Sequence, residues 1–79
     1  MPDAPIHLRR IDPARAMARF YALELAPTLF GPVALVRRWG RIGTAGRTLV
    51  ELHDGEAAAR AAAARWERAK RRRGYVDAG

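Results

Sequence analysis

Cysteine, serine, asparagine and glutamine are all missing from this 79-residue sequence, and Lys70 is its one lysine. Without cysteine there is neither a disulfide framework nor a thiolate metal site, which fits a reducing compartment. Without serine or cysteine, an activated nucleophile would have to come from the few threonines and tyrosines. His7 and His53 stand alone, without the clustered ligands a metal site needs. No apolar run approaches the roughly 20 residues that span a bilayer, and the opening MPDAPIHLRR lacks the apolar segment of a secretory leader. These absences predict a soluble, cytoplasmic, non-enzymatic chain with no metal, no cofactor and no small-molecule substrate. Residues 1–79 read as a single domain. A chain this short buries only about 60% of its unfolded surface, so each large apolar residue counts.

Charge is what the sequence has in excess. Fifteen basic residues face eight acidic ones, a formal net charge of +7. Such a balance suits a polyanion, either nucleic acid or an anionic membrane surface, and equally suits arginines that only solvate the surface.

Four stretches alternate as strands do. IHLRRI (6–11) alternates weakly, and DPARAMA (12–18) reads as a turn or short helical connection. RFYALELA (19–26) sets Tyr21, Leu23 and Leu25 in one apolar row. PTLFGP (27–32) is a loop, followed by a strand over 33–42. The turn GTAG (43–46) closes an antiparallel hairpin with RTLVELH (47–53), in which Thr48, Val50 and Leu52 share a row.

A helix follows over about 55–73, with Asp54 as its cap and Glu56 in its first turn. Ala59, Ala62, Ala63, Trp66 and Ala69 form a narrow apolar stripe, with Trp66 as core anchor. Glu56–Arg60 and Glu67–Arg71 are i,i+4 pairs on the outer side. Gly74 stands where a helix-ending glycine would, with Tyr75 free to fold back on the last turn. Lys70, Arg71, Arg72 and Arg73 crowd that end as a solvated basic patch. The order predicts an α+β fold, an antiparallel sheet of about four strands with one helix on one face.

Trp39 poses a separate question. Strand alternation puts Arg37, Trp39 and Arg41 on one face. Val36, Gly40 and Ile42 take the other, with Arg38 the misfit. If that apolar row meets the helix, Trp39 stands exposed between two guanidinium groups, and Arg47 across the hairpin extends the basic surface. Indole faces stack on bases and sugars while arginines hold phosphates. The alternative is that Trp39 packs on the stems of Arg37 and Arg41 as a cation–π cluster. Gly40 marks a bulge, or a place where a backbone or ligand comes close.

Trp39-Gly40-Arg41, followed by IGTAG and an acidic-capped helix with a basic end, and preceded by RFYALEL, resembles the WGR domain over nearly the whole chain. The resemblance implies an antiparallel sheet with a helix packed on it. In the DNA-dependent poly(ADP-ribose) polymerases that carry it, the domain binds near a DNA strand terminus and contacts neighbouring domains. It implies that Trp39 stacks on an exposed sugar or base and that Arg41 meets DNA or a partner domain. No catalytic domain is present, so ADP-ribosylation does not carry over. The expected partner is therefore DNA at ends, nicks or single-stranded regions, held by Arg37, Trp39, Gly40, Arg41 and Arg47. Low sequence specificity follows, because the usual bidentate reader of adenine, Asn or Gln, is absent. The alternative is an adaptor that docks a repair or other protein through the Trp39–Arg41 face.

Overall fold

The computed structural model describes residues 5–78. Its strands are β1 (Ile6–Asp12), β2 (Met17–Pro27), β3 (Val33–Arg41), β4 (Arg47–His53) and β5 (Val76–Asp77), with helix α1 (Glu56–Arg72) between β4 and β5. The sheet runs β4-β3-β2-β1-β5, and every neighbouring pair is antiparallel. This is the expected α+β fold with a fifth strand. Two residues pairing with Leu8 and Arg9 are too few to alternate, so β5 leaves no periodic trace.

Alanines let α1 lie close on the sheet. Ala62 and Ala63 are buried against Leu8, Tyr21, Leu23 and Leu35, with Tyr75 closing the far end, and Ala59 is buried as well. The helix begins at Gly55 rather than Asp54, and no side chain caps it. Gly55 stands at φ 108°, a backbone that glycine enters without penalty. The C-terminus is as expected. Gly74 lies at φ 96°, its N–H donates to the Arg71 carbonyl, and the Tyr75 N–H reaches back to that of Lys70. Those two bonds form the Schellman arrangement, which tucks Tyr75 under the last turn.

The register settles which face meets the helix. Tyr21 lies opposite Trp39, Leu23 opposite Arg37 and Leu25 opposite Leu35. Directly paired residues share a face, and Leu35 is fully buried. Arg37 and Trp39 therefore lie on the helix side, contrary to the sequence expectation. Val36, Val50 and Leu52 are apolar without being core, because no second layer covers their face among the described residues. Trp39 is half-buried, packed beside Tyr21 with ring centroids 6.5 Å apart.

The molecule measures 45 × 23 × 18 Å, with its charge unevenly spread along it. Residues 20–36 hold no basic residue and only one acid, Glu24. They run from the middle of the sheet out along the β2–β3 arm, whose tip carries Leu29 and Phe30 at 93% and 90% exposure. A hydrogen bond from the Thr28 hydroxyl to the Pro32 carbonyl (2.6 Å) braces the turn. The β1–β2 connection, the β3–β4 turn and the basic end of α1 all lie at the opposite end.

Candidate nucleic-acid interface

At that opposite end three arginines stand in one row. Arg10 on β1 pairs with Arg19 on β2, which pairs with Arg41 on β3, all on the helix side of the sheet. Adjacent strands are about 4.8 Å apart, and like charges directly opposite destabilise a sheet. No carboxylate pairs with these three among the described residues. The next row inward is Leu8, Tyr21, Trp39 and Arg47, so Arg47 adjoins Trp39 on the same face, as the hairpin implied.

The end of α1 arches over this row and encloses a cleft of about 330 Å³. Four cations line it, Arg10, Arg19, Lys70 and Arg73, with Trp39 and Tyr75 as aromatic walls. Met17, Phe20 and Gly40 complete the lining, and no acidic residue contributes among the described residues. Arg19 also borders a smaller groove with Arg15, Met17 and Arg41, so Arg41 continues the basic surface rather than the cleft.

Lys70 sits above the ring of Tyr21, 4.8 Å from its centroid, and 5.6 Å from that of Tyr75. Burial holds its ammonium below the ordinary lysine value, and the neighbouring charges of Arg73, Arg37 and Arg19 push the same way. A phosphate placed among these groups would relieve that repulsion.

Gly40 is explained by the protein itself. A Cβ there would stand 2.8 Å from the Gly46 Cα, and one on Gly46 would collide with the Trp39 carbonyl oxygen and the Phe20 ring. The close approach is therefore the β3–β4 turn folding back on its own strand, and the Phe20 ring fills the space beside it.

Arg37 departs furthest from expectation. Its side chain is only 12% exposed and lies 2.9 Å from the Glu51 carboxylate. Its guanidinium sits 3.9 Å from the Trp66 ring centroid and 5.4 Å from that of Trp39. The residue is thus a wedge between two indoles, unavailable to a phosphate. Glu51 also accepts the Trp66 indole N–H (3.2 Å) and contacts His53 (3.1 Å). Burial alone would raise the Glu51 carboxyl. The His53 hydrogen bond, the Arg37 charge and the Trp66 N–H outweigh it and hold the group below its ordinary range. Trp66 is accordingly a half-buried rim residue rather than the deep anchor expected of it.

The basic patch divides. Arg73 and Lys70 enter the cleft. Arg71 is held by Glu67 (2.9 Å) and Asp77 (2.6 Å). Arg72 lies on the outer helix surface beside Arg68. Arg10 and Arg19 were missed from sequence because only the strand register aligns them with Arg41.

A family model of the WGR domain matches residues 4–79. The uncharacterized protein y4dW of Sinorhizobium fredii is 44% identical over 70 residues, which cover 89% of this chain and 34% of that protein. The chain thus spans about a third of that relative's length. No solved structure matches. Among the described residues, no cluster of His, Cys, Asp or Glu could hold a metal ion, and no helix is long and apolar enough to cross a membrane.

Proposed function

This chain belongs to the WGR domain family, and from that premise we propose that it is a non-enzymatic nucleic-acid-binding module that takes DNA ends, nicks or single-stranded junctions in the cleft beside Trp39. The observation that carries this reading is the unpaired row Arg10–Arg19–Arg41. A sheet that sets three guanidinium groups side by side incurs a repulsion that a bound anion would relieve. Trp39 and Tyr75 offer aromatic faces within the same cleft, and base–aromatic stacking contributes about 1–3 kcal/mol per base. The contacts on offer are mostly phosphate contacts, which position a strand without reading its sequence.

The test compares blunt, nicked, gapped and single-stranded DNA of one sequence, at fixed salt, for the parent protein and Arg19→Gln. The parent should bind the interrupted or single-stranded forms more tightly than blunt duplex, and its affinity should fall steeply with salt. Arg19→Gln should weaken every form and lower the salt slope by about one. An affinity for DNA that ignores both salt and Arg19 would sink the reading and favour the protein adaptor.

A further inference from the structure

The sheet ends on one side in the two-residue β5 and on the other in the seven-residue β4. Nothing pairs with the outer edge of β4 among the described residues. Monomeric proteins usually blunt such an edge with charged side chains, lysine above all, with proline, with a bulge or with short length. β4 has neither proline nor lysine, and its register against β3 runs unbroken from Arg47 to His53. It also concentrates exposed apolar side chains: Leu49, Val50 and Leu52 are 41%, 55% and 65% exposed.

We infer that β4 is a homodimer interface, in which two copies pair their β4 strands antiparallel about a two-fold axis at Leu49. The charges select both the occupant and the register. Arg47 and Glu51 lie four residues apart with opposite signs, so an axis at Leu49 sets Arg47 of one copy opposite Glu51 of the other, twice. The same axis pairs Thr48 with Val50 and Leu49 with its own counterpart. An axis at Glu51 would oppose two carboxylates, and one at Val50 would set Leu49 against Glu51. Glu51 stays paired with Arg37 within its own copy, and its partly exposed carboxylate presents its outer edge to Arg47 of the other copy, so this register sets no like charges directly opposite each other. The two sheets join into one of ten strands. Because paired residues share a face, both helices lie on the same side and the two clefts point to opposite ends. This inference stands apart from nucleic-acid binding and holds whether or not the clefts take DNA.

The full chain is examined by sedimentation equilibrium from micromolar to millimolar concentration. A monomer–dimer equilibrium is expected, with a dimer of twice the 8.8 kDa chain mass. Leu49→Lys sets two ammonium groups face to face and should weaken the dimer at least about tenfold. It should leave the melting temperature of the monomer nearly unchanged. Because the chain lacks cysteine, single cysteines report the register directly. Leu49→Cys should oxidise to a covalent dimer at protein concentrations where Leu52→Cys does not. A parent that stays monomeric throughout overturns the proposal, as does a dimer indifferent to Leu49→Lys. Equal cross-linking at both positions would also overturn it.

Discussion

Trp39 serves two purposes at once, and its environment fixes the balance between them. One side packs on Tyr21 and the Arg37 guanidinium, while the rest walls the cleft. Removing a fully buried aromatic side chain costs about 3–5 kcal/mol. Half-burial brings Trp39→Ala to about 2 kcal/mol, which lowers the melting temperature of so small a domain by about 10 °C. Trp39→Phe keeps most of the packing and should melt close to the parent. Circular dichroism melts of the two variants check this, and an alanine variant as stable as the parent would show that the indole packs on nothing. A loss of DNA binding by Trp39→Ala is therefore ambiguous by itself. Arg19, which is exposed, is the cleaner probe of the cleft.

Within α1, successive arginines fall into different surroundings because a helix turns by 100° per residue. Arg71 is bound to two carboxylates, Arg72 faces outward, and Arg73 closes the helix over the cleft. Arg73→Gln should reduce DNA affinity and lower the salt slope by about one, whereas Arg72→Gln should change both much less. Fluorescence anisotropy across a salt series separates the two, and equal losses would mean a diffuse patch after all. The elements themselves were legible in the sequence. Alternation in 19–26 and 47–53, the glycine turn and the alanine stripe each follow from local chain geometry, and four of the five strands and the helix stand close to where those signals put them. Facing was not legible. Val36, Val50 and Leu52 are as apolar as core residues, and only the pairing of Leu25 with Leu35 assigns them to the open side. Arg37 carries the same lesson, since its sequence neighbours give no sign of the Glu51 and Trp66 that enclose it. Arg10 and Arg19 join the site through register alone.

Glu51 acts on the scale of the whole molecule, because it ties β4 to β3 through Arg37 and to α1 through Trp66. Its carboxyl is held below the ordinary range in the folded state. The sign follows directly: the unfolded chain binds the proton more readily, so stability falls as the pH drops below about 4.5 and through the folded value. Glu51→Gln should be less stable than the parent at neutral pH, and the gap should close in acid. Denaturant midpoints from neutral to acidic pH measure it, and a gap that stays constant would show that the charge contributes nothing. The same length scale gives the arm over residues 20–36 a further meaning. With basic residues absent from the stretch 20–36 and crowded around the cleft, the molecule's charge is unevenly distributed along its 45 Å axis. In the field of a polyanion it experiences a torque before it experiences a contact. If the cleft takes nucleic acid as proposed, the protein should arrive cleft first with the Leu29–Phe30 tip trailing, and added salt should slow association more than it shortens the residence time.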